Sequence, residues 1–417
     1  MVFPQRYLPV NHGKLNKHLL SLGLAFLLLP ASLCAEPLTE SLSIELGLKH
    51  ENFLQLLESY NNAAQGEITR SKTWRNPELE LSREEAGSET EISIMLKQPL
   101  DISGKRAIKS EVAKLRLGTT DLDNQLLHIE RRGVIRKKFY EVLFQQLKQE
   151  TLASWLVKFS ELENTMMKRE AAGDVSGYDR RRISQEKFSL VAQQGEITAE
   201  LDSAWRQLKG YFSPGDTSGF RSVDGELLPE KQASLQSLLD KLEQLPGLLK
   251  QQRLSESYQL TAKAIKRSQI PDLTIGLGHK QIDGPGESVN GFLLSASLPL
   301  PIFDRKQGEL QQARAEIQAS NHQFQLAQQL VEVNIRSLWH KANQLRDNAT
   351  LFKKQIINSA ELITIAEAAY HASELGVLEL IDAYRSNLLS EMRAHHMTMQ
   401  ARLVQIELDQ ISQGIRQ

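Results

Sequence analysis

The sequence predicts a mainly helical protein with a small β part, in which a strand pair and a long helical hairpin form a unit that occurs twice. Three observations predict this fold. Residues 99–106 recur loosely as residues 299–306, each copy follows a short run of alternating polar and apolar residues, and each opens a very long stretch without proline. Landmarks repeated at one offset indicate duplicated architecture, so the repeat decides the fold class before any single element does.

The proline-free stretches predict long helices. No proline stands between Pro99 and Pro214 or after Pro301. Because proline breaks helix interiors, and these stretches are rich in helix-forming residues, residues 104–173 are expected to form one helix about 100 Å long at ~1.5 Å per residue. In the second copy, apolar side chains recur every seven residues, a pattern typical of helices packed side by side: Leu310, Ile317, Phe324, Val331, Leu338, Leu345 and Phe352.

A second pair of matching segments predicts where each long helix turns back. Residues 173–182 match residues 376–385 at an offset of 203, close to the offset of 200 between the proline segments. In this alignment Gly173 matches Gly376, and both are expected to supply the backbone freedom that a tight turn needs. Helical patterns resume directly after each turn, so the sequence predicts two helical hairpins with their tips at these segments.

Short strands are predicted at the opposite end of each hairpin. Alternating residues give strands over residues 77–83 and 91–98 in the first copy and over 271–279 and 292–298 in the second, joined by polar turns. One apolar and one polar face over about ten residues is typical of a transmembrane strand and also of a half-buried soluble hairpin. The long helices favour the membrane interpretation, because soluble hairpins at one end of a helical rod would have nothing to pack on. Four strands are too few to close a membrane sheet, so the chain is expected to oligomerise.

The predicted organisation has four parts: a signal peptide over residues 1–35, a first repeat over 36–210, a linker or equatorial segment over 211–250 with one short helix at 230–244, and a second repeat over 251–417. In the first part, basic residues precede an apolar run and small residues, which is the pattern of a secretory signal.

The position of signal cleavage decides whether the mature chain contains a cysteine. Cleavage after Ala35 leaves none, and therefore no disulfide or thiolate chemistry. Cleavage before Cys34 leaves a lipidated amino terminus as the alternative, although Leu33 replaces the small residue that a lipidation motif has at that position.

Composition and motifs exclude several classes of function. The chain has 50 lysines and arginines against 51 aspartates and glutamates, which argues against nucleic-acid binding because a phosphate-binding surface needs a basic excess. The run His395-His396-Met397-Thr398-Met399 resembles soft-metal ligands by residue type. Adjacent helical residues point about 100° apart, however, and nothing nearby completes a site. No catalytic group, cofactor or metal site is predicted, and the protein is not expected to be an enzyme.

Several motifs resemble the TolC family of outer-membrane channels, and within it the heavy-metal cation efflux branch of CzcC-like proteins. They are Asn76-Pro77-Glu78-Leu79 at the first strand, residues 98–106 after the second strand, residues 298–305 after the fourth, and the two tip segments. The resemblance covers nearly the whole mature chain. It implies a homotrimer in the cell outer membrane, in which each chain gives four strands to one twelve-stranded β-barrel that continues as an α-helical tunnel through the periplasm.

The resemblance also implies a function and partners. The function is that of a passive exit duct in a tripartite efflux pump, for heavy-metal cations of the cobalt, zinc and cadmium or the copper and silver type. The partners are a periplasmic membrane-fusion adaptor, an inner-membrane RND-type pump and outer-membrane lipid. A duct for type I protein secretion or drug efflux stays open as an alternative. So does, from another class, a soluble periplasmic coiled-coil adaptor or structural protein.

By motif match, the resemblance places adaptor docking and gating at the two tips. The residues concerned are Gly173, Val175, Ser176 and Asp179 in the first tip and Gly376, Leu380 and Asp382 in the second. Asp382 and Asp179 are the gate candidates, because a ring of three carboxylates suits the passage of cations and its mutual repulsion couples gating to pH. Both aspartates suit the capping of a returning helix equally well. Glu379 stands where the first tip has Ser176, so the two docking grooves are expected to differ.

Overall fold

The computed structural model describes residues 36–217 and 219–412, without the side chains of residues 217 and 357–360. The predicted signal peptide, its cleavage site and Cys34 lie outside the described residues. The described chain is mainly helical with a small antiparallel sheet, as the sequence predicts. No helix in this part of the chain combines the length and the apolar character that a membrane crossing requires.

Helices and strands alternate in two similar series along the described residues. In chain order they are β1 (Leu38–Thr39), α1 (Glu40–Leu48), α2 (Glu51–Lys72), β2 (Glu78–Ala86), β3 (Glu89–Leu100), α3 (Lys105–Ala172), α4 (Gly177–Lys209), β4 (Val223–Asp224), α5 (Leu235–Leu239), α6 (Pro246–Arg267), β5 (Leu273–Asp283), β6 (Ser288–Ser297), α7 (Gln307–His371) and α8 (Val377–Ser412).

Two helices, α3 and α7, are far longer than those of ordinary domains. They contain 68 and 65 residues, so each extends about 100 Å at ~1.5 Å per residue. Gly104 (φ 71°) and Gly173 (φ 83°) flank α3 in the left-handed conformation, which glycine adopts without a steric cost. The predicted helix between these two glycines is therefore confirmed.

The seven-residue pattern of α7 faces the interior of the helix layer. Its members, from Leu310 to Phe352, are all buried or half-buried. The neighbouring stripe is buried more deeply and is made largely of small residues, which lets α6 and α8 approach closely: Ala313, Ser320, Ile335, Ala342 and Ala349.

The main sheet joins the two strand pairs in the antiparallel order β2-β3-β5-β6. Each strand is longer than predicted. β2 and β3 stay paired as far as Ala86 and Glu89, so that only Gly87 and Ser88 form the turn. The sequence prediction assigned residues 84–90 and 281–291 to polar turns. Because antiparallel strands accept polar residues on a solvated face, the hydrogen-bond ladder continues through them.

The two faces of this sheet differ in chemistry. Register pairing aligns side chains in rows across the four strands, and one face carries two apolar rows: Leu79, Leu96, Leu277 and Leu294, and beside them Leu81, Ile94, His279 and Phe292. The apolar members of these rows are 46–94% exposed. The opposite face carries the ion pairs Glu80–Lys97 and Glu91–Lys280. An exposed apolar surface of this kind marks a face that contacts lipid or another protein.

The helices next to the sheet follow the order of the strands. α3 packs between α2 and α6, and α6 packs between α3 and α7. Farther from the sheet, α3 packs against α4 and α8, and α7 packs against α8. Sheet and helices therefore form one wall. Its edges within the described chain are β2 with α2 on one side and β6 with α7 on the other.

The segment between the repeats packs against the long helices, and the prediction of a single helix over residues 230–244 is wrong. α5 contains only five residues, a 3-10 turn follows at Leu242–Gln244, and Pro246 already opens α6. Proline suits the first position of a helix, where its missing N–H is not needed. Leucines of this segment pack against α7 and α8 instead: Leu238, Leu242, Leu245 and Leu248.

A buried charge cluster connects α1, α3 and α8. The Arg136 guanidinium donates from Nη1 to Asp409 Oδ2 at 2.8 Å and from Nε to Glu40 Oε1 at 2.5 Å. The Tyr140 hydroxyl donates to the second oxygen of Glu40 at 2.5 Å. The side chains of Arg136 and Asp409 are only 9% and 7% exposed. A buried charge that loses its partner is costly, so this cluster fixes the relative positions of three helices.

Replacing Asp409 by asparagine is expected to destabilise the fold by about 3 kcal/mol, because Arg136 stays buried with one of its two counter-charges removed. The measurement is the thermal unfolding midpoint, followed by circular dichroism. Asp202→Asn is the matched control, since Asp202 pairs with Arg206 on the exposed surface of α4. Equal midpoints for the two variants would contradict the structural role of the cluster.

Candidate functional site at the helical tips

The first tip turns through a glycine in the left-handed conformation. α3 ends before Gly173, whose N–H donates to the carbonyl of Glu170 at 3.0 Å, and the N–H of Asp174 donates to the carbonyl of Arg169 at 2.9 Å. These bonds satisfy carbonyls that the end of a helix otherwise leaves open.

The return helix of the first tip begins with a side-chain cap. Ser176 Oγ accepts the N–H of Asp179 at 3.2 Å and donates to Asp179 Oδ2 at 2.7 Å. The first bond satisfies one free N–H group at the helix start, the second holds the serine hydroxyl in place, and a carboxylate there also interacts favourably with the helix dipole. Asp179 is thus part of a helix cap in this structure.

The second tip repeats the same bonds with a different residue at the turn. Ser373 has a φ of 61°, its N–H donates to the carbonyl of Tyr370 at 3.1 Å, and the N–H of Glu374 donates to the carbonyl of Ala369 at 2.9 Å. Each of these residues stands 200 positions after its counterpart in the first tip. The backbone of the tips therefore repeats at the offset of the proline segments.

This repeat corrects the alignment predicted from the sequence. Gly376 is not the residue that turns the chain: it directly precedes α8 and is equivalent to Ser176, whereas Ser373 is equivalent to Gly173. Glu379 is then equivalent to Asp179, so the expectation that it replaces Ser176 is wrong. The offset of 203 rested on matching residue types, and hydrogen bonds show that it does not align the backbones.

The predicted tip residues have different environments. Gly173, Ser176, Gly376 and Asp382 are exposed and Asp179 is half-buried. Leu380 is only 1% exposed and belongs to the apolar cluster that holds the two hairpins together. Val175 packs against the same cluster. In this structure Leu380 is therefore a core residue, whereas the Asp382 carboxylate faces solvent.

A polar contact near the tips joins the two hairpins. Glu367 Oε1 on α7 accepts the Tyr384 hydroxyl of α8 at 2.7 Å and the Lys158 ammonium of α3 at 3.0 Å. Partial burial opposes ionisation of Glu367, but the hydrogen bonds from Tyr384 and Lys158 outweigh it and lower the pKa of the carboxyl group. Burial, followed by the bond to Glu367, raises the pKa of Tyr384. The tyrosine consequently stays a donor and the carboxylate stays charged at neutral pH.

Sequence reasoning missed this three-residue contact. Lys158 lies on the first hairpin, more than 200 positions before Glu367 on the second. Tyr384 also packs edge-on against Trp155, with ring centroids 5.4 Å apart. The only available signal was the presence of a tyrosine and a glutamate on predicted neighbouring helices, and the helix register that brings them together follows from packing.

The histidine–methionine segment makes contacts with polar neighbours. His395 Nε2 lies 2.9 Å from Thr151 Oγ1, and His396 Nε2 lies 2.9 Å from Gln400 Nε2. Burial, followed by the charge of Lys353, lowers the pKa of His395. Within residues 36–217 and 219–412, no group of three or more histidine, cysteine, aspartate or glutamate side chains could hold a metal ion.

Comparison with known proteins relates the whole wall to channel proteins. No family model matches the chain. Its sequence is similar to that of the cobalt-zinc-cadmium resistance protein CzcC of Cupriavidus metallidurans, with 25% identity over 369 residues and 86% of each chain covered. Its fold is similar to a membrane protein from Pseudomonas aeruginosa, with a TM-score of 0.74, 16% identity and 89% of each chain covered. It is also similar to the Campylobacter jejuni CmeC outer membrane channel, with a TM-score of 0.71, 13% identity, and 90% of this chain and 86% of that one covered.

In this chain a four-stranded sheet is followed by long helical hairpins, and the solved outer-membrane channels have the same architecture. The chain therefore has the fold of TolC-type outer-membrane efflux channels. At the level of the fold, the resemblance predicted from the sequence is confirmed.

Gly173→Ala and Ser373→Gly are expected to have opposite effects on the stability of the turns at the two tips. Alanine at φ 83° costs about 1 kcal/mol, whereas glycine at φ 61° removes a similar strain. Hydrogen–deuterium exchange of residues 169–175 should become about fivefold faster in the first variant, and exchange of residues 369–375 should become slower in the second. A change in the same direction at both tips would show that the two turns do not share one backbone conformation.

Removing the Glu367 charge by Glu367→Gln is expected to lower the free energy of unfolding at pH 7 by about 1 kcal/mol. The thermal unfolding midpoint should fall accordingly. Because the pKa of Glu367 is below its usual range, its contribution is complete at neutral pH and is lost as the pH falls through the lowered value. The difference from the unchanged protein should therefore vanish in acid. Glu374→Gln, at an exposed position of the same tip, is the control. A difference that stays the same as the pH falls from 7 through the acid range would contradict the role of the ionised carboxylate.

Proposed function

We propose that this protein is the passive outer-membrane exit duct of a tripartite efflux pump, that three copies close the duct, and that heavy-metal cations pass through it. In this arrangement, the sheet of each chain lies in the membrane and the hairpins extend into the periplasm. An inner-membrane pump supplies the energy, and a periplasmic adaptor engages the tips.

The observation that carries the proposal is the shared order of strands and helices. β2 with α2 and β6 with α7 form the two edges of one wall within the described chain. In lipid, every strand edge must be paired, because no water is present to bond the free N–H and C=O groups. Four strands are too few, since the smallest membrane barrels have about eight. Three copies joined edge to edge supply twelve strands and pair the helix edges in the same step.

The side chains on the helix edges support closure by further copies. α7 exposes an apolar stripe of Leu326, Leu330 and Val333, which are 59%, 61% and 56% exposed. On the opposite edge of the wall, α2 exposes Leu54 and Tyr60, each 47% exposed. A neighbouring copy would bring these two edges together and remove both apolar surfaces from water, which is favourable in proportion to the area buried.

Charge favours cations as the transported species. On the polar face of the sheet, carboxylates outnumber ammonium groups. Lys97 and Lys280 pair with Glu80 and Glu91, and three further carboxylates remain on this face of β2 and β3: Glu78, Glu84 and Glu89. A lumen lined by that face is attractive to cations. At the opposite end of the wall, the exposed Asp382 of three copies would form an acidic ring. The similarity to a cobalt-zinc-cadmium resistance protein points to the same class of substrate.

The tips supply the surfaces for adaptor docking and gating. Gly173, Ser176 and Gly376 are exposed at the end of the hairpins. Because Ser176 and Gly376 occupy equivalent positions, the first docking groove has a hydroxymethyl side chain at this point where the second has none. Asp179 lies beside the first groove as part of the helix cap, which leaves Asp382 as the stronger gate candidate.

Charge reversal at Asp382 tests the proposal in planar lipid bilayers. Asp382→Lys should reduce the preference for cations over anions, measured as a shift of the reversal potential under a salt gradient. Asp202→Lys is the control, because Asp202 lies about 35 Å from the tip along α4 at ~1.5 Å per residue. An unchanged reversal potential would exclude Asp382 as a gate residue, and the absence of any conductance would contradict the duct itself.

A further inference from the structure

A cavity of about 490 Å³ lies where the wall changes from strands to helices. It is enclosed by the carboxyl ends of α2 and α6, the start of α3, and residues next to the strands, among them Trp74 before β2, Pro99 in β3 and Asp272 before β5. The volume falls within the range of small-molecule sites, ~300–1,000 Å³. Nothing in the proposed duct function requires a pocket at this level.

The acidic side chains in the lining already have partners. Glu67 pairs with Arg70 at 2.6 Å, and Asp272 pairs with Lys105 at 2.6 Å. Asp101 accepts the backbone N–H groups of Ser103 at 3.0 Å and Arg106 at 2.9 Å, and the Ser103 hydroxyl at 2.7 Å. Burial opposes ionisation of Asp101, but these bonds outweigh it and lower the pKa of the carboxyl group.

The fourth acidic side chain of the lining, Glu309, is also paired, with Lys306 at 2.9 Å. All the carboxylates of the cavity are therefore compensated inside the chain.

Three basic side chains of the lining form no ion pair within the described residues: Arg106, Lys109 and Arg116. Arg106 is half-buried, whereas Lys109 and Arg116 are exposed at the mouth of the cavity, and the charge of Arg116 acts on Glu67 only at longer range. Their spacing of three and seven places them on one side of α3, so their charges act on the same space. The cavity therefore has an excess of positive charge on one wall.

Arg106 adds an independent observation. Its Nη1 atom is buried and has no hydrogen-bond partner, and its guanidinium carbon lies 3.6 Å from the ring centroid of Trp74. Stacking holds the planar group in place, while a buried charged N–H without an acceptor carries a cost in free energy. An acceptor entering the cavity would remove that cost.

We propose that this cavity binds the phosphate group of an anionic ligand, recognised by Arg106, Lys109 and Arg116. The planar fork of arginine matches two phosphate oxygens, and lysine adds a compact positive charge. The phosphate comes either from the headgroup of an anionic phospholipid or from a free phosphate compound. The lipid source rests on the proposed function, because the cavity then lies at the membrane boundary, where tryptophan is enriched. The phosphate site itself does not depend on it.

The test compares two triple variants of the full-length protein in detergent. Arg106→Gln, Lys109→Gln and Arg116→Gln remove the three charges of the cavity. The matched control is Lys114→Gln, Arg132→Gln and Lys168→Gln, which makes the same change of charge at exposed positions of α3 outside the cavity lining. A double variant, Lys109→Gln with Arg116→Gln, keeps the stack of Arg106 on Trp74 and guards against loss of fold.

Two probes separate the possible sources of phosphate. Native mass spectrometry measures binding of phosphatidylglycerol against phosphatidylcholine, and thermal unfolding measures stabilisation by inorganic phosphate against chloride at equal ionic strength. We expect the cavity triple variant to bind phosphatidylglycerol at least about tenfold more weakly, the double variant to lie between, and the control to bind normally. Stabilisation by inorganic phosphate alone, lost in the same variants, would support the site with a free ligand.

Equal responses of the cavity and control variants to both probes would overturn the proposal. In that case the three cations would only stabilise the carboxyl ends of α2 and α6, which carry the negative partial charge of the helix dipole. That result would leave the duct function unaffected, since conductance and its cation preference are measured separately.

Discussion

The edges of the wall are the constraint on which the rest of the structure depends. β2 and β6 each have one side without a partner in the described chain, and the apolar rows that cross the sheet from Leu79 to Leu294 are exposed. A lone sheet of this kind is stable neither in water, because of its apolar face, nor in lipid, because of its free backbone groups. In the proposed duct, further copies of the same chain would resolve both problems, since they would pair the edges and leave the apolar rows facing lipid.

The same constraint applies to the long helices beyond the sheet. Each strand connects to the helix that follows or precedes it, so the order of strands becomes the order of helices and the edges coincide. The buried cluster around Arg136 and the contact of Glu367 with Tyr384 and Lys158 then hold the two hairpins in register. The equivalence of Ser373 with Gly173 shows that the duplication extends to the backbone of the tips. Side chains at equivalent positions, such as Asp382 and Arg182, have diverged.

Features that act locally could be predicted from the sequence, and features that depend on packing could not. Gly104, Gly173 and the proline segments mark helix ends by their own backbone preferences, and alternation marks the strands. Ser373 carries no such mark, because its positive φ is imposed by the helices around it. Gly376 misled the alignment, since a matching glycine does not prove a matching conformation. The leucines from Leu238 to Leu248 have helical spacing but pack against α7 and α8 from an irregular segment. The cavity beside Arg106 forms only when α2, α3 and α6 pack together, so it could not be predicted from local sequence.

The mass of the protein after detergent extraction from membranes tests the edge constraint most directly. Light scattering coupled to size exclusion, corrected for bound detergent, gives the number of chains in the particle. Edge-to-edge closure predicts extraction only with detergent and a particle of three mature chains. A chain that is released without detergent, or that runs as a monomer within it, would contradict the account, because the strand and helix edges would then be stable without a partner.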